Sequence, residues 1–285
     1  MKVKRNVAAL TLEEYKSNGS RYRQSKDPEI KRLIRFYVAK QRLKPFRLEF
    51  LNKTTALLTL QEYGSLEFFE ESFRKLKDKK IENLIIDVRQ NGGGWDDFGF
   101  KSFSYLIKKP SRYYDSLFTT ITDIDFLLKN TDKDSAWLKE SKHLWWKDGK
   151  PLPNSVSEGL SLQHPQQNRF EGNVYILMTG KSMSTTAEFT AATHFNKLAT
   201  FIGEESGGAY EGGNGADFAT VTLPNTQLTV NIPLAKYVMA TSREKFKGRG
   251  TMPDYAIRKT VKDWFELRDP QLEFGLELIK ARNKK

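Results

Sequence analysis

Leu84-Ile85-Ile86-Asp87-Val88-Arg89-Gln90-Asn91-Gly92-Gly93-Gly94 is an apolar run that ends in bare glycines. The run has the continuous character of a strand buried on both faces. The glycines leave the backbone without Cβ atoms, so another group can approach their N–H groups closely. From Asp96 the apolar spacing becomes helical, with Phe100, Phe103 and Ile107 on one face. A helix start adds a partial positive field there. The stretch suits an oxyanion hole or a phosphate cradle, and equally a plain tight turn. The phosphate reading is the weaker, because no Gly-Lys-Ser/Thr ending and no dinucleotide-binding spacing accompany the glycines.

A second segment has the same form. Val174-Tyr175-Ile176-Leu177-Met178 runs through Thr179-Gly180-Lys181-Ser182-Met183 to Ser184, and a helical pattern follows from about Thr185 to Asn196. A hydroxyl at such a junction can point out of the end of a sheet, with the Thr185 amide at the helix N-terminus. Acyl transfer needs this arrangement, because the developing oxyanion must meet preorganised donors. A serine here also suits a plain helix N-cap, and Ser182 or Thr185 could fill either role.

Working outward, Phe46–Leu51 and Thr55–Leu60 read as strands around Asn52-Lys53, and Leu66–Lys80 as an amphipathic helix with Ser65 as its N-cap. Residues 1–45 read as helical and polar. Residues 111–170 are irregular and read as a long insertion. Ala199–Ile202 reads as a strand and Gly203–Gly215 as a loop. Asp217–Leu223 and Leu228–Ile232 read as a hairpin, Lys236–Ala240 as a separate strand, and Gln271–Ala281 as a final helix. Strands alternating with helices argue for an α/β core.

Composition removes several classes of function. The chain has 285 residues, no cysteine and a net charge of +12. Thiol catalysis, disulfides and thiolate metal sites are therefore excluded. The excess charge gathers toward the two ends, without aromatic interleaving. It reads as a solvated basic surface rather than a nucleic-acid interface. No apolar run approaches the roughly 18 residues that would span a bilayer. The basic start Met1-Lys2-Val3-Lys4-Arg5 is not followed by a secretory apolar stretch. Asp96-Asp97 reads as helix N-terminal charge rather than as a metal site, and no cofactor motif is present.

The glycine segment resembles the signature of the tail-specific, or carboxy-terminal processing, serine peptidases of family S41. Four further stretches fall in that family's order: Phe68–Leu76, Val174–Phe189, Phe201–Gly208, and Gly248-Arg249-Gly250-Thr251-Met252-Pro253-Asp254-Tyr255. The resemblance covers about residues 46–282. It implies an α/β fold with a ClpP/crotonase-like ββα core and a polypeptide substrate. It carries the nucleophile onto Ser184 and the oxyanion donors onto Gly92, Gly93 and the Thr185 amide. It also implies a periplasmic or extracellular setting, and leaves oligomeric state open. Where many members carry a lysine base, this chain has Ala209. The Asp-Gly-His-Thr segment of the tricorn-type branch does not occur, and none of His143, His164 and His194 stands at the family's position. His194 lies ten residues beyond Ser184 on the same helix, about 15 Å away. The base is therefore expected from an upstream His-bearing region, with residues 1–45 its remnant or lead-in helices to the domain. Two other readings use the same scaffold: a non-catalytic peptide- or ligand-binding protein, and an acyl-CoA-handling crotonase relative.

Overall fold

A computed structural model describes residues 26–41, 44–119, 157–242 and 245–282, with isolated positions between 125 and 151. The chain divides into two compact units. One contains the described part of Met1–Lys44 together with Thr260–Asp269, and the other contains Pro45–Lys259 with Pro270–Lys285.

In the smaller unit are α1 (Pro28–Gln41) and, late in the chain, α5 (Val261–Glu266). The start of α5 is fixed by a capping box, in which Thr260 and Asp263 bond each other's backbone N–H groups. The Arg32 guanidinium donates to the Phe265 carbonyl at 2.9 Å.

The larger unit is built on a six-stranded sheet. Along the chain come β1 (Phe46–Phe50), β2 (Thr55–Leu60), α2 (Leu66–Asp78), β3 (Asn83–Asp87), α3 (Asp96–Ser104) and β4 (Tyr114–Thr119). A two-residue ladder, β5 (Trp146–Lys147) with β6 (Lys150–Pro151), follows. Then come β7 (Asn173–Met178), α4 (Thr185–Phe195), β8 (Thr200–Gly203), β9 (Gly212–Thr222), β10 (Thr229–Met239), β11 (Tyr255–Ala256) and α6 (Pro270–Arg282). The sheet order is β1-β2-β3-β7-β8-β11. Only the β1/β2 pair is antiparallel.

The apolar runs are continuous because both faces of this sheet are covered. Leu84, Ile86 and Val88 pack with Val174, Ile176, Met178 and Phe201 into one core, which takes in Phe69, Phe73, Phe100 and Phe103. Their alternates Ile85, Tyr175, Leu177 and Ile202 pack with Ile279 on the other side. Ser65 caps α2, its Oγ accepting the Phe68 N–H at 3.1 Å. Among the described residues, no helix is long and apolar enough to cross a membrane.

The part expected to be irregular from residue 111 opens with a real strand. β4 pairs with β10, and β10 with β9, in a second, three-stranded sheet. The expected hairpin strand 228–232 and the separate strand 236–240 are one element, β10. Pro233 has no N–H for the ladder, and the register shifts between Pro233 and Ala235 instead of the strand ending there. β9 also starts at Gly212, inside the stretch expected to be loop.

Candidate active site

Strands β3 and β7 are parallel neighbours, so the loops leaving their C-terminal ends meet. Bonds join the two loops at successive positions. The Val88 N–H donates to the Leu177 carbonyl at 3.0 Å, and the Met183 N–H to the Asn91 carbonyl at 3.2 Å. Ser182 Oγ donates to the Val88 carbonyl at 2.9 Å, Thr179 Oγ1 to that of Arg89 at 2.7 Å, and Thr185 Oγ1 to that of Gly94 at 2.7 Å.

This stitching separates the three candidate hydroxyls. Ser182 is buried and accepts the Thr179 N–H besides its bond to Val88. Thr185 is buried and committed to Gly94. Ser184 is exposed, and its side chain makes no capping bond although it holds the N-cap position of α4. Its backbone has φ 52° and ψ −133°, a region L-residues rarely occupy and one that a sharp strand-to-helix turn imposes.

Gly93 faces Ser184 directly. A Cβ on Gly93 would lie 2.6 Å from Ser184 Cβ and 3.1 Å from Ser184 Oγ, and its φ is +107°. Its N–H, expected as an oxyanion donor, instead donates to Asn91 Oδ1 at 2.9 Å. Asn91 is fully buried; its side chain holds the Gly93 N–H and its backbone carbonyl the Met183 N–H, so this residue braces the turn from within. Among the described residues, the N–H groups of Gly92, Gly94 and Thr185 have no acceptor.

His194 does not reach this centre. Its Nδ1 and the Tyr210 hydroxyl are 3.0 Å apart, and its ring lies among Phe201, Tyr210 and Phe246. Burial, then the charge of Lys245, lowers its pKa. His164 is exposed, and His143 lies outside the described residues. Lys181 Nζ donates to Gln90 Oε1 at 3.1 Å. No hydrogen bond joins Ser184 Oγ to any described Lys or His.

The glycine-rich loop after β8 is also fixed. Glu205 accepts from the Arg249 guanidinium and from the Gly250 N–H, and these bonds, the Arg249 one foremost, hold its carboxyl below the usual range. Asp254 Oδ2 accepts the Phe201 N–H at 2.8 Å, tying the Pro-Asp turn to β8. Asp96 accepts the Tyr237 hydroxyl at 2.6 Å. Among the described residues, no group of three or more His, Asp or Glu is placed to hold a metal ion.

Sequence reasoning passed over Glu188. It is buried one turn after Ser184 and accepts the Tyr114 hydroxyl at 2.6 Å. Burial pushes its pKa up to about 8, against the pull of the Tyr114 bond, with Asp96 adding to the rise. A carboxylate at a core-facing helical position, four residues from the candidate nucleophile, was the available signal.

Peptidase family S41 matches residues 54–257, most of the larger unit. The chain belongs to peptidase family S41. Solved structures agree in fold. A protein of Parabacteroides merdae described as a candidate peptidase aligns with a TM-score of 0.53 at 17% identity, over 87% of this chain and 69% of its own. Mature CPAF aligns with a TM-score of 0.53 at 17% identity, over 82% of this chain and 55% of its own. CPAF complexed with lactacystin aligns with a TM-score of 0.54 at 16% identity, over 81% and 52%. The chain thus spans about half the length of the CPAF structures. No curated protein matches it in sequence. The S41 fold is the α/β, ClpP/crotonase-like core expected from the sequence, and at these identities the structural likeness is one of fold.

Proposed function

We propose that this S41 member is a serine-type endopeptidase in which Ser184 attacks a peptide carbonyl. The single observation that carries the reading is the Ser184–Gly93 apposition: an exposed hydroxyl on a strained junction, in contact with a glycine whose Cβ would obstruct it. The Thr185 N–H, at the helix N-terminus, and an open N–H of the glycine loop, that of Gly92 or Gly94, would receive the oxyanion. Gly93 contributes the close approach rather than its own N–H. The substrate is an extended polypeptide. Trp95, 81% exposed beside the glycines, and Met183, 47% exposed before Ser184, border the site with apolar surface.

The base is proposed to come from residues other than those described around Ser184. A nucleophile without its base loses several orders of magnitude in rate. Ala209 in the lysine position also supports a second reading, a polypeptide-binding protein that does not cleave. A fluorophosphonate probe decides between them. The hydrolase reading expects label on Ser184 that disappears in Ser184→Ala. Label that persists in that variant moves the nucleophile elsewhere, and absence of label from every form of the protein favours the binding reading.

A further inference from the structure

Two tyrosines stand side by side on the small sheet. Tyr114 comes from β4 and Tyr237 from β10; both are buried, and their rings are 5.1 Å apart. Each hydroxyl donates to a different carboxyl, at 2.6 Å in both cases. Tyr114 bonds Glu188, whose own N–H bonds the Ser184 carbonyl at 3.0 Å. Tyr237 bonds Asp96, the first residue of α3, two positions beyond Gly94. One hydroxyl therefore grips the helix that carries Ser184, and its neighbour grips the helix that leaves the glycine loop.

A packed core does not need these groups. Burying a carboxyl, as at Glu188, or half-burying one, as at Asp96, opposes folding unless it is bonded, and an apolar pair of similar volume would stabilise at least as well. What a bonded carboxyl–hydroxyl pair adds is a fixed register. The two carboxyls also share one environment, because the charge of Asp96 contributes to the raised pKa of Glu188. Tyr63 closes the same region, its hydroxyl 3.3 Å from Thr186 Oγ1.

We propose that Tyr114 and Tyr237 are positioning residues: through one hydroxyl–carboxyl bond each, the three-stranded sheet sets the separation between the Ser184 turn and the glycine loop. The inference rests on the reading of Ser184 as nucleophile for its catalytic meaning, and on the bond geometry alone for its structural content. The small sheet is then part of the active-site machinery and not only a cover for the core.

The test uses Tyr114→Phe, Tyr237→Phe, the double variant and Glu188→Gln in the full chain, with two readouts. Site-resolved hydrogen exchange follows the Met183 and Gly93 amides, which bond across and within the loop pair, against Ile86 and Ile176 in the central sheet. Fluorophosphonate labelling follows Ser184. Each Phe variant is expected to speed exchange at Met183 about tenfold, and the double variant further, with Ile86 and Ile176 unchanged. Labelling is expected to slow by about the same factor. Glu188→Gln still accepts the Tyr114 hydroxyl and is expected to keep wild-type exchange. Wild-type exchange at Met183 in the double variant would overturn the proposal, and so would an equal acceleration at Ile86 and Ile176, which reports global stability alone. No label on any form of the protein, with the exchange pattern as expected, would overturn the hydrolase reading and uphold the positioning one.

Discussion

A non-glycine residue held at φ 52° costs about 1–3 kcal/mol, so it persists only where its surroundings over-determine it. At Ser184 those surroundings are the stitched loop pair and the glycine opposite. Gly93→Ala is expected to destabilise by about 1–3 kcal/mol, since its φ of +107° suits only glycine, and to abolish labelling of Ser184. Gly92 has open space where a Cβ would stand, so Gly92→Ala is expected to fall within about 0.5 kcal/mol of wild type. Urea denaturation measures both, and equal losses in the two would show that the contact with Ser184 is not the constraint. Glu188 makes a pH prediction. Its folded pKa, about 8, lies above the ordinary glutamate value of 4.5, so the native state holds a proton that the unfolded chain releases. The stabilisation is complete below about pH 4.5 and is lost as pH rises through about 8. Relative to Glu188→Gln, wild type should lose up to roughly 1.4 kcal/mol per pH unit across that window. A flat difference between the two would mean that Asp96, Tyr63, Tyr113 and Tyr114, the groups around Glu188, leave it ionised.

The loops after β3 and β7 act together because parallel pairing brings both C-terminal ends to one edge. Thr185 Oγ1 to the Gly94 carbonyl is the stitch nearest the candidate oxyanion donors. Thr185→Val removes the hydroxyl at nearly constant volume and leaves the carbonyl without this partner, a loss of about 1 kcal/mol. It is also expected to slow Ser184 labelling, while Thr185→Ser retains both properties. Similar labelling rates in the two variants would remove this stitch from the site's support. The fold's main elements were readable from their periods. β3 and β7 appear as unbroken apolar runs, and α2 as a 3.6-residue stripe behind a serine cap. β4 was hidden because Tyr114-Asp115-Ser116-Leu117-Phe118-Thr119 sits in a stretch with no clean alternation and turns only part of itself inward. β10 was split because Pro233 reads as a breaker, and only its place in the ladder shows that a bulge absorbs it.

Across the molecule, the base for Ser184 is expected to come from outside the residues that surround it. The described residues bring no lysine or histidine into a bond with Ser184. The 285-residue chain is therefore expected to cleave an unfolded protein substrate weakly, and a longer form that carries a His-bearing upstream region to cleave it faster by several orders of magnitude. Turnover rates of the two forms against Ser184→Ala controls measure this. Fast Ser184-dependent cleavage by the 285-residue chain would place the base within it, with His143 the first candidate to substitute.

The α/β class, the strands β3 and β7, the helix α2 and the position of the strand-to-helix junctions follow from local pattern, and the family from a resemblance of motifs along the chain. A segment's apolar period records how it will be buried, and glycines and serines mark where the backbone must turn. Three hydroxyls stood together at Ser182, Ser184 and Thr185, and nothing in their spacing chose among them. In the fold, the carbonyls of Val88 and Gly94 accept from Ser182 and Thr185, while the Ser184 side chain makes no capping bond. The Gly93 amide went to Asn91 and the Glu188 carboxyl to Tyr114 for the same reason. A hydrogen bond is satisfied by whichever partner the fold carries to within about 3 Å. For the hydroxyls and for Glu188 that partner lies far along the chain, beyond what local pattern records.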